Sequence, residues 1–154
     1  MIERRGTMIT EMEQATLDID WFFTNGKEIA FVASGGGKLP GEVSKSKENI
    51  ENLALYFRSL PKSSDVIINS DLNKIMKAQE INESYLADFI MMAEKGFFSY
   101  DKTILNNFSE ANYHLVVRPI NPLKTDDLPL DISKILMTTE RISEMEANFD
   151  TNLI

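Results

Sequence analysis

The clearest alternation along the chain is Leu17-Asp18-Ile19-Asp20-Trp21-Phe22-Phe23-Thr24, then Asn25-Gly26, then Lys27-Glu28-Ile29-Ala30-Phe31-Val32-Ala33-Ser34. Two β-prone runs around Asn-Gly predict a hairpin, because a type I′ turn needs positive φ at both central residues and Asn and Gly tolerate it. With a two-residue turn, Leu17, Ile19, Trp21 and Phe23 share one face with Ala30 and Val32. Asp18, Asp20 and Phe22 then share the other with Ile29, Phe31 and Ala33. Both faces are largely apolar, so the hairpin is expected to be covered on both sides or central in its sheet, with Asp20 opposite Phe31 and partly buried.

Ser34-Gly35-Gly36-Gly37-Lys38-Leu39-Pro40-Gly41 reads as a loop by composition. Ser44 or Ser46 then caps a helix in which Ile50, Leu53, Ala54, Phe57 and Leu60 recur at helical spacing, ending before Pro61; Lys47, Glu48, Glu51 and Arg58 form its solvated face. Val66-Ile67-Ile68 is a short run that can be a strand. Ser70 is expected to cap a segment carrying Leu72, Ile75, Met76 and Gln79, and Asn82 or Ser84 a helix with Tyr85, Leu86, Phe89, Ile90 and Ala93 inward. Gly96 suits the left-handed position after that helix. Phe97-Phe98-Ser99-Tyr100-Asp101 reads as a strand or tight connection, and Tyr113 to Arg118 as a strand stopped by Pro119 and Pro122. From Asp126 the pattern predicts a helix capped by Asp126 or Asp127, with Pro129 in its first turn and Leu128, Ile132, Ile135, Leu136 and Ile142 inward; beyond Met145 the apolar face drifts.

This order predicts an α+β fold: a single domain with a mainly antiparallel sheet, opened by the hairpin and packed by three to four helices. Residues 1–15 are expected as an N-terminal extension, 16–145 as the domain and 146–154 as a C-terminal tail. The 154 residues are 43% hydrophobic and 26% charged, which suits one globular domain and excludes wholesale disorder. No cysteine is present, which removes disulfides, thiolate nucleophiles and sulfur-ligated zinc and is compatible with a reducing cytoplasm. No apolar stretch suits a signal peptide or a membrane span, so a cytoplasmic, membrane-free protein is expected, with the first seven residues either native or preceding a start at Met8.

Sixteen Lys and Arg against 24 Asp and Glu give a formal net charge of -8. That balance argues against a nucleic-acid partner, since a phosphate backbone calls for clustered Lys and Arg. Residues 1–20 hold five acids and two bases, residues 126–154 seven acids and two bases, and the stretch between them twelve of each. All the excess negative charge is therefore at the two ends.

No convincing catalytic constellation emerges. Gly35-Gly36-Gly37-Lys38 fails as a phosphate loop, because Val32 stands where the first glycine belongs and Leu39 where Ser or Thr belongs. The run reads better as a mobile connection, with a backbone anion nest as the second reading. Asp18 and Asp20 at i, i+2 can hold a divalent cation or do acid–base work, but nothing adjacent completes a ligand set; alternatively Asp20 accepts backbone hydrogen bonds from Gly35 to Gly37. His114 is the single histidine and lies in an apolar strand, where a structural role is favoured. Trp21 and Tyr100 read as core. Asp126, Asp127, Asp131, Glu140, Glu144, Glu146 and Asp150, against Lys134 and Arg141, form either a solvated helix face or a patch that docks a basic protein.

Asp18-Ile19-Asp20-Trp21-Phe22, the Asn25-Gly26 turn, Ile29-Ala30-Phe31, Ala33-Ser34-Gly35-Gly36-Gly37 and the later block Lys95-Gly96-Phe97-Phe98-Ser99-Tyr100-Asp101 carry a resemblance. With Tyr113 to Pro119, Pro122-Leu123 and Leu128-Pro129, it touches most of residues 17–130. The chain resembles a group of small uncharacterised bacterial proteins that open in this way, similar in size and character to immunity proteins encoded beside polymorphic or contact-dependent toxins. The resemblance implies a non-catalytic protein that binds a cognate toxin, and it transfers no site residue. The acidic C-terminal region separately points to a basic partner, a toxin or another protein, docked through Asp131, Glu140, Glu144 and Glu146, and no cofactor or metal is expected. Two other classes stay open: a small metal-dependent enzyme using Asp18 and Asp20 with His114 or Asp101, and a structural or regulatory module of a larger assembly. The oligomeric state is left open.

Overall fold

In the computed structural model, which describes residues 6–77, 80–141, 144–151 and 154, the N-terminal hairpin forms with its turn displaced from the expected position. Helix α1 (Glu11–Thr16) precedes strands β1 (Asp20–Thr24) and β2 (Ile29–Ala33), which are followed by α2 (Gly41–Ser44), α3 (Lys47–Arg58) and β3 (Val66–Ile68). Then come α4 (Leu72–Ile75), α5 (Glu83–Glu94), β4 (Phe98–Lys102), β5 (Asn112–Pro119), α6 (Leu130–Leu136) and β6 (Asn148–Asp150). Gln79 and Ile142, expected on apolar faces, and residues 1–5 lie outside the described residues.

Thr24 pairs with Ile29 and Asn25 N donates to Glu28 O at 3.4 Å, so Gly26 and Lys27, not Asn25 and Gly26, are the central residues of the turn. The reason is the Asn25 carboxamide: its Oδ1 accepts from Lys27 N (3.0 Å) and Glu28 N (2.8 Å), which fixes Asn25 as the acceptor in front of the turn. Pairing slips by two residues, and Asp20 stands opposite Ala33 rather than Phe31. A slip of two preserves the faces. Trp21 and Phe23 still share one side with Ala30 and Val32, and Phe22 shares the other with Ile29, Phe31 and Ala33. Both sides are covered, whereas Leu17, Asp18 and Ile19 precede the strand and Leu17 is exposed.

The sheet is mixed and mostly antiparallel, in the order β1-β2-β4-β5-β3 with β6 also on β5, and only β2 and β4 run parallel among its described pairs. On one face Phe22, Phe31, Val116 and Val117 pack under Leu53 and Phe57 of α3, Phe89 and Met92 of α5, and Ile132 and Leu136 of α6. On the other face Trp21, Phe23, Tyr100 and Tyr113 gather around Phe149. The Phe149 ring lies 6.2 Å from Trp21 and 4.8 Å from Phe23 on β1, and stacks on Tyr113 at 5.2 Å. The sheet therefore curls around this second core.

Helix starts follow local chemistry. Thr10 Oγ1 accepts from Glu13 N and Glu13 Oε1 from Thr10 N, each at 3.2 Å, a reciprocal cap for α1; Ser46 caps α3 and Asn82 caps α5. At α4 the cap position is Asp71 rather than Ser70, without a side-chain bond. The expected helix from Asp126 is broken: Thr125–Asp127 is a 3₁₀ turn, and α6 begins only after Pro129. A residue before proline is driven out of the helical region, and Leu128 accordingly sits at φ -91, ψ 148. After a second 3₁₀ turn at Met137–Thr139 the chain is extended at Glu140, and β6 joins the sheet where a fraying tail was expected. Residues read from the sequence as an extension carry α1, with Ile9 buried in the second core.

Candidate functional site

Register assembles a polar row across the helix-covered face. Asp20 pairs with Ala33, Ala33 with Asp101 and Asp101 with His114, so these residues lie side by side on β1, β2, β4 and β5, at the C-terminal ends of the parallel pair. Arg58, at the end of α3, donates from Nε to Asp20 Oδ2 at 2.8 Å and from both terminal nitrogens to the Asp88 carboxylate at 2.9 and 3.0 Å. Burial lifts the Asp20 carboxyl above its ordinary range despite the guanidinium beside it, and the bond to Asp88 holds Arg58 firmly charged. At Asp101, the Tyr85 hydroxyl donates to Oδ2 at 2.7 Å and Lys102 N to Oδ1 at 2.9 Å. Desolvation outweighs these bonds and pushes Asp101 up to about 6. His114 is buried, shares a 3.2 Å hydrogen bond between Nδ1 and Thr103 Oγ1, has no partner for Nε2 among the described residues, and is pushed down to about 4 by burial.

Asp18 and Asp20 do not act as a pair. Continuing the observed register, Asp18 falls beside the glycine loop and its Oδ1 accepts from Gly35 N at 2.9 Å. The expected bond from Asp20 to that loop is thus made by Asp18, because the two-residue slip of the hairpin moves the loop along β1. Asp20 is engaged instead by Arg58. Among the described residues, no group of three or more His, Asp or Glu side chains is arranged to hold a metal ion. Nor do Asp101, His114 and Thr103 line up as a nucleophile relay: the Asp101 oxygens accept from Tyr85 and Lys102 N, and among the described residues no hydrogen bond joins Asp101 to the imidazole, whose Nε2 has no partner.

The Gly35 to Gly37 loop is tied down along its length. Gly37 N donates to Ser34 O at 2.8 Å, Lys38 N to Phe108 O at 3.0 Å and Leu39 N to Gln14 Oε1 at 2.9 Å. Gly35 and Gly36 have φ of 55 and 73, and a Cβ on Gly36 would stand 3.0 Å from Ala15 O, so this path requires glycine. A Cβ on Gly37 would meet Lys102 Nζ at 2.8 Å. Lys102 itself is buried, donates to Glu110 O and lies over the Tyr113 ring.

Trp21 lies in the second core edge-on to Tyr113, and Tyr100 is buried there with its hydroxyl donating to Glu146 O at 2.6 Å. The acidic residues occupy a different part of the molecule. Asp131 is on α6, Glu140 follows the 3₁₀ turn, and Glu144 and Glu146 lie in the irregular stretch before β6, so they do not share one helix face. All four are exposed, as are Asp126 and Asp127, and none of the six forms an ion pair with a described residue. Of the two bases in this stretch, Arg141 is buried with its guanidinium against Phe23 and Phe149, while Lys134 stays exposed on α6. Sequence reasoning missed Arg58 as the link between Asp20 and Asp88, placing it on a solvated face; the one available signal was Asp88 interrupting the broad apolar face of α5. No helix among the described residues is long and apolar enough to cross a membrane. No family model, curated protein or solved structure matches the chain.

Proposed function

We propose that this is a non-catalytic protein-binding protein of the bacterial cytoplasm, most concretely an immunity protein that neutralises a cognate toxin by direct binding. The observation that carries this reading is the acidic surface from Asp126 to Glu146, whose six exposed carboxylates have no ion-pair partner among the described residues. Unpaired like charges project a field that accelerates encounter with a basic surface, and toxins that act on nucleic acid present a basic surface where substrate binds. Occupying that surface would exclude the substrate without any chemistry by the inhibitor. The polar row supports the same reading, because its carboxylates are engaged by Arg58, Tyr85 and the Lys102 backbone amide.

Co-expression with the product of the neighbouring gene is the test. A stable complex and protection of the cells are expected, and failure of both sinks the proposal. Within such a complex, Glu140→Gln, Glu144→Gln and Glu146→Gln together are expected to slow association at low salt and to matter little at high salt. Unchanged low-salt rates would leave the acidic surface with solubility alone.

A further inference from the structure

At the β3 edge, Ile120 N donates to Asp65 O and Asn69 N to Val116 O, each at 2.9 Å. Antiparallel alternation then turns residues 65, 67 and 69 toward β5 and the N–H and C=O groups of Val66 and Ile68 away from it. Those four groups have no hydrogen-bond partner among the described residues. Ile67 is 51% exposed, Ile68 42% and neighbouring Ile120 54%. Val66-Ile67-Ile68 carries no lysine, proline or bulge, the devices that blunt an exposed edge.

We propose that β3 pairs with β3 of a second copy of this chain, antiparallel about a two-fold axis through Ile67, so that two sheets become one. The inference is independent of the toxin-binding reading. It rests on self-complementarity in hydrogen bonds, side chains and charge. About Ile67, Val66 faces Ile68 of the second copy and Ile68 faces its Val66, and every outward N–H and C=O of both strands is bonded, four hydrogen bonds in all by antiparallel geometry. Ile67 meets its twin on one face, while Val66 and Ile68 meet on the other. Asp65 falls opposite Asn69 of the second copy, so no like charges oppose each other. Other registers are poorer: sliding by two residues one way sets Ile68 against Ser64, whose N–H is already bonded to Glu94 O at 3.0 Å. Sliding the other way sets Val66 against Ser70, beyond the end of the strand. A two-fold consumes both open edges, so the assembly closes at two.

The test is the mass of the full chain in solution across a concentration series, read together with amide exchange. A dimer that dissociates on dilution is expected, with exchange at Val66 and Ile68 slowing as it forms while Ile67, bonded within one copy, changes little. Ile67→Lys opposes like charges across the axis, and Ile68→Pro removes an outward N–H at a position where an edge strand tolerates proline. Each is expected to weaken the dimer at least about tenfold, and either alone decides the matter if the other fails to fold. A chain that stays monomeric at every concentration overturns the proposal, as does a dimer that both variants leave intact. Protection of Val66 and Ile68 only when a different protein is added overturns it in favour of a foreign strand.

Discussion

At the β1 edge the outward carbonyls of Phe22 and Thr24 accept from Thr139 Oγ1 at 3.0 Å and Arg141 N at 2.7 Å, whereas at the β3 edge the outward N–H and C=O groups of Val66 and Ile68 have no hydrogen-bond partner among the described residues. The two edges belong to one sheet and pose the same problem of unpaired backbone. The first is solved at long range. After α6 the chain passes along β1, sets the Arg141 guanidinium 5.9 Å from the Phe23 ring and 5.6 Å from the Phe149 ring, and ends the crossing by adding β6 to β5. One segment thus covers an edge, roofs the second core and completes the sheet. At β3 no described residue bonds the outward backbone groups, and the apolar side chains of Ile67 and Ile68 stand exposed.

The difference teaches that cover of the β1 edge depends on the anchor at the far side of the sheet. Phe149→Ala is therefore expected to have the largest effect, about 3–5 kcal/mol, because the ring fills the space between Trp21, Phe23, Tyr100 and Tyr113. Urea denaturation measures the loss, and amide exchange should show the Arg141 N–H opening early. Near wild-type stability with Arg141 still protected would show that the β1 edge holds its cover without β6.

Between the edges, Asp101 and His114 face each other with opposed titrations. A carboxyl raised to about 6 keeps a proton in the folded state that the unfolded chain has lost, so its contribution to stability falls as pH rises from its ordinary range near 3.8 to about 6. A histidine lowered to about 4 refuses a proton that the unfolded chain accepts, so its contribution rises with pH from about 4 to 6.5. The two slopes oppose each other over almost the same window. Asp101→Asn should uncover a stability that climbs by about 1.4 kcal/mol per pH unit relative to wild type between pH 4 and 6, and His114→Leu a matching fall. Denaturation midpoints at several pH values decide it, and variants that track the wild-type profile would refute opposed titration.

The elements that local chemistry dictates were legible in the sequence. Ser46 and Asn82 caps, the apolar stripe of α3, the β5 run and the two buried faces of the hairpin all appear where the pattern puts them. What failed were features settled by a single side chain or by distant packing. Asn25 can be a central turn residue or the acceptor before it, and only the acceptor's two bonds distinguish the outcomes. Asn148-Phe149-Asp150 offers one apolar residue to a pattern search, yet becomes a strand because β5 has space beside Asn112–His114. For the candidate site, composition located the acidic surface but spread it along a helix that Pro129 interrupts. The Arg58 bridge joins residues 20, 58 and 88, a separation that no local spacing encodes.

The smallest effects draw the comparison most sharply. Thr139→Val keeps shape and burial but removes the hydroxyl whose one proton is shared between Phe22 O and Leu136 O, leaving one outward carbonyl of the covered edge unbonded. That should cost about 1 kcal/mol. Ile67→Thr, on the bare edge, should change the stability of the dilute single chain by less than about 0.5 kcal/mol, since its side chain is half exposed and keeps its backbone bonds to Arg118. Both values come from denaturation at low protein concentration, where no second copy contributes. Equal losses would mean that β3 is held by contacts as demanding as those at β1; a loss at Thr139 alone would show that cover, not membership of the sheet, separates the two edges.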